Sequence, residues 1–361
     1  MKVNGVHYRS IWPLGEKAVG IVDQTVLPHA FVTRSLHSAD EMVEAIRSMV
    51  VRGAPLIGVA AAYGLALAMN ESATDKDLAS ACDRLNAARP TAVNLRWALD
   101  RMHALLAPLP TDQRAGAAWR EAARIADEDV ELNRAIGRHG AALIRDLHIA
   151  HQHPVQILTH CNAGWIATVD YGTALSAIYQ AHDAGVPLHV WVDETRPRSQ
   201  GLLTAWELAA HGVPHTVIVD NAGGHLMQRG QVDLVLVGAD RVSARGDVAN
   251  KIGTYLKALA AHDNGVPFYA AVPSPTIDWS IADGLAEVPI EERSAVEVRE
   301  VAVADAQGSP SRVRVVDGAT SVANPAFDVT PARLVTGLLT ERGIVAPGAL
   351  ATLFPEHRRA A

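Results

Sequence analysis

Gln156-Ile157-Leu158-Thr159-His160-Cys161-Asn162-Ala163-Gly164, running on into the segment 167–181, is the stretch on which the reading of the whole chain turns. A short apolar run bounded by polar residues and followed by a helical pattern reads as a buried parallel strand feeding a helix. The turn between them holds Cys161, one of only 2 cysteines in the chain. A thiol there is expected beside backbone N–H groups and the positive end of a helix dipole, which favour the thiolate. Farther on, Val232-Asp233-Leu234-Val235-Leu236-Val237-Gly238-Ala239-Asp240 reads as a second strand ending in a carboxylate. If both strands belong to one parallel sheet, Cys161 and Asp240 emerge at the same edge, where open α/β sheets place their ligands. The expectation is that the two groups face each other across a small substrate.

Composition narrows the class. At 361 residues the chain exceeds the size at which one core keeps growing, so two domains are expected. A hydrophobic share of 49% with 20% charged residues is ordinary globular usage. A net charge of -7 with dispersed Lys and Arg lacks the basic stripe of a nucleic-acid surface. A phosphorylated small molecule remains open, because local N–H groups and a few cations suffice for it. Cys82 and Cys161 cannot build a disulfide framework and fit a reduced, cytoplasmic setting. Met1-Lys2-Val3-Asn4-Gly5 has no apolar signal region. The Ala-rich run 54–69 falls short of the roughly 20 residues of a membrane span. It reads as a buried core helix, and no membrane partner is expected.

Residues 1–35 read as short strands and turns. Ser38-Ala39-Asp40-Glu41 is a capping box that opens a helix through Val51. Arg52-Gly53-Ala54-Pro55 then starts the apolar helix, leaving free N–H groups with an arginine beside them, a combination suited to an anion. Helices are expected at 75–88 and 94–106, and a long one runs, with breaks, from Thr111 towards Asp146. The section 36–150 is therefore read as a helical domain, with His148 to Pro154 as its polar link. From 151 to 361 the expectation is a Rossmann-like, doubly wound parallel sheet. Its strands are predicted at 155–160, 188–193, 215–219, 232–238 and 267–272, with helices at 167–183, 201–211, 249–264 and 331–342. The segment 296–316 reads as two short strands around the turn Asp305-Ala306-Gln307-Gly308.

The strand ends are polar: Cys161, Asp193-Glu194, Asp220, Asp240 and Ser274. Polarity resumes at strand ends in any α/β protein, which accounts for most of these. Asp240 differs because the run before it is apolar from Leu234 to Ala239. Desolvation there raises the carboxyl pKa and lets it donate a proton near neutral pH. Cys161 supports two readings, a reactive group or a small buried hydrophobe, and Cys82 reads as structural. No G-x-G-x-x-G fingerprint or P-loop is present, so no cofactor is expected. His151, His153 and His160 lack metal-ligand spacing and are read as surface or core histidines, with no metal expected. His160 is expected on the opposite side of its strand from Cys161.

Several segments together resemble the methylthioribose-1-phosphate isomerases of methionine salvage. They are Arg52-Gly53-Ala54-Pro55-Leu56-Ile57-Gly58, Asn94-Leu95-Arg96-Trp97-Ala98 and Thr159-His160-Cys161-Asn162-Ala163-Gly164, then Glu194-Thr195-Arg196-Pro197 leading to Gln200-Gly201. Val237-Gly238-Ala239-Asp240-Arg241, Ala249-Asn250-Lys251-Ile252-Gly253-Thr254 and Asn324-Pro325-Ala326-Phe327-Asp328-Val329-Thr330-Pro331 follow. The likeness spans nearly the whole chain in order, and its specificity lies in the set rather than in any one segment.

The resemblance implies a helical N-terminal domain preceded by a small strand region, a Rossmann-like C-terminal domain, and a homodimer. It implies an aldose–ketose isomerisation of a sugar 1-phosphate without a cofactor. Cys161 and Asp240 become the catalytic pair, and Arg52, Gly53, Ala54, Arg96, Gln200, Asn250 and Lys251 the substrate contacts. Two chemistries fit: a Cys161 thiolate taking the C2 proton through an enediol, or a hydride shift with Asp240 moving hydroxyl protons. The apolar pocket for the methylthio group has no residues assigned from sequence. Two rival expectations accompany this one. The first is an isomerase for ribose 1,5-bisphosphate or a 5-deoxy sugar phosphate, with Arg196, Arg198 and Arg241 as possible further cations. The second is a non-catalytic regulatory subunit of the translation-initiation nucleotide-exchange factor, which shares the fold family but has no need of the Cys161 and Asp240 pair.

Overall fold

The computed structural model describes residues 1–304 and 310–357. Its centre is a sheet of 7 strands. In spatial order they are Gly343–Val345, Gly337–Thr340, Phe268–Ala271, Leu234–Val237, Val155–Thr159, Leu188–Asp193 and His215–Ile218. All neighbours are parallel except Gly343–Val345, which returns antiparallel on Gly337–Thr340. From Val155–Thr159 the chain winds outward through Leu188–Asp193 to His215–Ile218, then jumps back to Leu234–Val237 on the other side. Val155–Thr159 and Leu234–Val237 therefore flank the topological switch point, where such sheets open a crevice.

Helices cover both faces, which is why strands such as Leu234–Val237 are apolar throughout and fully buried. Ala174–Asp183 and the C-terminal part of Thr111–His151 pack one face, joining Ile136, Ile144, Leu175 and Ile178 to Val190 and Leu236. Ala222–Gln228 and Thr254–Asp263 take the other, through Met227 and Ala258 against Leu158, Val235 and Phe268.

Ala54–Glu71 is the core of the helical layer. Long and apolar enough to cross a membrane by composition, it is instead 89% buried within the protein. Ala39–Arg47, Asp75–Asn86, Val93–Leu106 and Thr111–His151 surround it. The expected cap holds, with the Glu41 N–H donating to Ser38 Oγ at 3.2 Å. A three-stranded antiparallel sheet, Ile11–Pro13, Val19–Val22 and Thr33–Leu36, precedes this layer.

The structure departs from the sequence reading most at three elements and keeps the two strands expected within 296–316. Thr111–His151 is a single unbroken helix of 41 residues that joins the helical layer to the sheet. Gly137 and Gly140 do not break it but let a neighbour in, since a Cβ on Gly140 would lie 2.3 Å from Ala177 Cβ. It ends where Gln152 turns left-handed (φ 58), so half of the expected link is still helix. The predicted helix 331–342 is instead a turn, Ala332–Leu334, followed by the buried strand Gly337–Thr340. Short apolar runs do not distinguish strand from helix by period alone. Only Thr254–Asp263 of 249–264 is helical, because Val248–Lys251 belongs to a second sheet in the order Ile277–Asp278, Arg241–Ser243, Val248–Lys251, Phe327–Thr330. Finally, the strands Glu300–Ala304 and Pro310–Arg314 pair antiparallel, while the predicted turn Asp305-Ala306-Gln307-Gly308 lies outside the described residues.

Candidate active site

A cavity opens at the switch point between the sheet and the N-terminal layer, with about 1040 Å³ of space free of protein atoms, its mouth included. Cys161 and Asp240 both line it. Cys161 has a φ of 71°, rare outside glycine, and its turn is clamped from both sides. Its N–H donates to Thr195 Oγ1 at 2.9 Å and its carbonyl accepts from Thr204 Oγ1 at 2.8 Å. A costly backbone state held this firmly is the kind found at functional turns.

The electrostatics correct part of one expectation: the Asn162 N–H does support the sulfur, but the following helix does not begin there. The helix after Cys161 starts only at Ala174, beyond a single turn at Trp165–Ala167, so its dipole does not begin at the sulfur. Burial pushes the Cys161 thiol up, outweighing Lys251 and Arg52, which pull it down. Burial also raises the Asp240 carboxyl against the pull of Lys251, Arg89 and Arg52, the expected direction. Gly238 brings the two turns together, because a Cβ there would lie 2.7 Å from Ala163 Cβ.

Positive groups converge on the same space. Gly53, at a φ of 106°, precedes Ala54–Glu71 without a side-chain cap, so the first N–H groups of that helix face the cavity. Arg52 donates from Nη2 to Asn162 Oδ1 at 2.6 Å, and its buried Nε has no partner among the described residues. Asn162 is held in turn by Glu207, whose carboxylate accepts from Asn162 Nδ2 at 2.8 Å, the Trp165 N–H at 2.7 Å and Tyr179 Oη at 2.8 Å. Lys251 sits over the Phe327 ring with Nζ 4.9 Å from its centroid. Burial lowers the pKa of both Lys251 and Arg52. Gln200 opens the helix Gln200–His211 with a buried, unpartnered Oε1, and Asn250 Nδ2 donates to Thr254 Oγ1 at 3.1 Å.

His160 also borders the cavity, its Nδ1 at 3.0 Å from Asp193 Oδ2 and its Nε2 at 2.8 Å from the Ile252 carbonyl. Lys257 Nζ lies 3.2 Å from the same Asp193 oxygen. This chain of groups ties the Cys161 turn to the segment carrying Asn250 and Lys251.

Of the residues singled out in the sequence, Arg52, Gly53, Ala54, Cys161, Gln200, Asp240, Asn250 and Lys251 meet at this cavity. Arg96 does not line it. Its side chain is 66% exposed on Val93–Leu106, paired with Asp100 at 3.0 Å, and it borders a separate groove near Cys82. Helical phase turns it away while the start of the same helix faces the cavity. Arg89, in the turn ahead of that helix, does line the cavity, pairs with Glu291 at 3.2 Å and keeps a buried Nε with no partner among the described residues. The signal was present, since Arg89-Pro90 precedes a helix much as Arg52 and Pro55 do. The apolar wall of Met49, Ile57, Val288, Pro289 and Phe327 was missed, being scattered along the chain.

The model of the initiation factor 2 subunit family (IF-2B) matches residues 50–347. The chain belongs to that family. Among its relatives, the methylthioribose-1-phosphate isomerase of Rhodospirillum centenum is 62% identical over 99% of this chain and 96% of its own length. That of Methylorubrum populi is 61% identical over 100% of both. Among solved structures, 5-methylthioribose 1-phosphate isomerase from Pyrococcus horikoshii OT3 superposes with a TM-score of 0.82 at 41% identity, covering 97% of this chain and 96% of that one. The translation initiation factor eIF-2B delta subunit from A. fulgidus gives 0.78 at 38% identity, covering 97% and 100%. Family members of both kinds thus share this fold.

Proposed function

We propose that the chain is an aldose–ketose isomerase that converts 5-methylthioribose 1-phosphate to 5-methylthioribulose 1-phosphate in methionine salvage, with Cys161 and Asp240 at the reacting carbons. One observation carries the reading: a thiol and a carboxyl, both half-buried and both raised in pKa by desolvation, share a cavity ringed by Arg52, Arg89 and Lys251. A non-catalytic scaffold gains nothing from that pair. The cations and the free start of Ala54–Glu71 suit a dianionic phosphate.

The raised Asp240 carboxyl is the proton donor that opens the ring. Its proton goes to the ring oxygen as the C1–O bond breaks, leaving a hydroxyl at C4 and an electron-deficient C1 that still carries phosphate. Hydride then passes from C2 to C1 with its electron pair, and the C2 hydroxyl returns its proton to the Asp240 carboxylate as the ketone forms. Atoms and charge balance, and Asp240 ends as it began. The upward shift of the Cys161 thiol supports this route over a standing thiolate base. Cys161 then flanks the migrating hydride as a neutral, water-excluding group.

At the sugar's far end, Met49, Ile57, Val288, Pro289 and Phe327 suit a methylthio group. A second phosphate there is disfavoured because the spare cations are engaged. Arg198 pairs with Glu297 at 2.9 Å, Arg241 with Asp278 at 3.0 Å, and Arg196 Nη2 donates to the Val298 carbonyl at 3.1 Å. The working unit is a homodimer, readable as a doubled mass by light scattering.

Turnover of 5-methylthioribose 1-phosphate in deuterated water tests the reading. Ketose formation with no solvent deuterium at C1 is expected by NMR. Deuterium at C1 sinks the hydride route, and an absence of turnover sinks the isomerase.

A further inference from the structure

We propose that His151, His153 and Asp233 form a surface site for a borderline divalent transition ion of the Zn²⁺ type, at the sheet edge opposite the cavity. His151 is the last residue of Thr111–His151, His153 lies on the link into Val155–Thr159, and Asp233 immediately precedes Leu234–Val237. Both strands begin at this edge, whereas Cys161 and Asp240 follow their far ends.

The spacing fits such an ion. His151 Nδ1 lies 3.2 Å and His153 Nε2 3.7 Å from Asp233 Oδ1, and the three candidate ligand atoms lie within 4.8 Å of one another. Ligands at about 2.0–2.1 Å from a tetrahedral Zn²⁺ stand roughly 3.3 Å apart, so the two distances to Asp233 nearly fit already and side-chain rotation of up to about 1.5 Å between the two imidazoles closes the site. Two imidazoles with one carboxylate are a donor set for Zn²⁺, Ni²⁺ or Cu²⁺ rather than Mg²⁺ or Ca²⁺.

Hydrogen bonding aims the ligands independently of that spacing. His153 Nδ1 is 3.0 Å from the Pro154 carbonyl, which only accepts, so Nδ1 carries the hydrogen and the neutral ring has its lone pair on Nε2. In that tautomer the lone pair faces Asp233 Oδ1 at 3.7 Å, a gap that a metal ion can bridge. Asp233 Oδ2 accepts the Gln156 N–H at 2.7 Å, which fixes the carboxylate and leaves Oδ1 for the ion. Outer contacts of this kind orient ligands at metal sites. The imidazoles are 36% and 50% exposed, which leaves an entry path and an open fourth position for water. The other histidine–carboxylate group, His160 with Asp193 and Asp220, already holds Lys257 as its cation. Sequence spacing hid the surface site because its carboxylate comes from a distant strand.

Zn²⁺ titrated by calorimetry into the full chain at pH 7.5, beside a His151→Ala/His153→Ala variant, tests this. The wild type should bind one more Zn²⁺ per chain than the variant, with affinity for that site lost by well over about tenfold, the lower range for losing even an outer contact. Sugar-phosphate turnover should be equal in the two, since neither histidine touches the cavity. Cu²⁺ added to the wild type should show electron-spin couplings to two nitrogens that His153→Gln alone reduces to one. Identical isotherms in wild type and double variant, or a Cu²⁺ spectrum unchanged by His153→Gln, overturn the site.

Discussion

Replacing Arg89 and Arg96 separately by alanine sets the cavity geometry directly against the sequence reading. Arg89 lines the cavity with Nη2 on Glu291 and a buried Nε that has no partner among the described residues, so that N–H is available to an anion. A hydrogen bond from a charged donor contributes about 1.5–3 kcal/mol, which at about 1.36 kcal/mol per decade is a loss of roughly 10- to 150-fold in kcat/KM. Folding should suffer little. Glu291, the partner Arg89 leaves behind, keeps Arg293 at 2.8 Å. Arg96 is a solvent-facing partner of Asp100 four residues on, a pair of about 0.3–0.5 kcal/mol. Its loss should change kcat/KM by no more than about twofold. Steady-state kinetics on 5-methylthioribose 1-phosphate, with thermal unfolding on the same preparations, reads both. A silent Arg89→Ala together with a large loss in Arg96→Ala would refute the cavity as the complete site and put Arg96 in a neighbouring subunit's site.

Asp240→Asn should lower kcat by about 10²- to 10⁴-fold with unfolding temperature unchanged, the range for removing a positioned proton-transfer group, and Cys161→Ser, which sets a more strongly hydrated hydroxyl beside the migrating hydride, should also lower kcat; wild-type turnover in either removes that residue from the chemistry. Because Asp240 acts protonated, wild-type kcat should fall as pH rises through its raised pKa, and a pH profile flat into the alkaline range would contradict that role. Glu207→Gln sets an NH₂ against buried donors such as the Trp165 N–H and Tyr179 Oη, so chemical denaturation should show a loss of about 1–3 kcal/mol for each donor stranded. Burial raises Asp129 from 3.8 to about 7, so its stabilising contribution is complete below about pH 4 and lost as pH rises through about 7. Across that window Asp129→Asn should remove on the order of 4 kcal/mol of pH dependence in denaturant unfolding, and parallel curves for variant and wild type would exclude it.

What the sequence revealed, and what it hid, follows from how each feature is encoded. The strands Val155–Thr159 and Leu234–Val237 were legible because continuous burial leaves a continuous apolar run, and the polar residue that ends each run marks the crevice. The start of Ala54–Glu71 was legible because glycine and proline have local causes. Gly337–Thr340 was not, since a buried strand of four residues carries no period. The second sheet escaped for the opposite reason: Val248–Lys251 has the polar Asn250 and Lys251 where a core strand would be apolar, because these side chains serve the cavity. Arg96 is turned from the cavity by helical phase and Arg89 reaches it from the turn ahead of the helix, and orientation relative to a distant element is not written locally.

The second sheet explains how distant segments deliver one charge pattern. Asp240 leads into Arg241–Ser243, which folds back on Val248–Lys251 with Arg241 opposite Ala249, and the Asp240 N–H donates to the Ala249 carbonyl at 2.9 Å. Asp240, Asn250 and Lys251 are thus neighbours in one hairpin, and its next strand sets Phe327 opposite Lys251. In that enclosed space burial drives four groups towards their uncharged forms: Cys161 and Asp240 up, Lys251 and Arg52 down. A dianionic phosphate changes the balance in one direction for each class. It favours the charged forms of Lys251 and Arg52, which hold it, and pushes the acids further up, so Asp240 keeps its proton until the ring oxygen takes it. Substrate binding and readiness of the acid are therefore one electrostatic event, which is why a hairpin carries both the cation and the carboxyl.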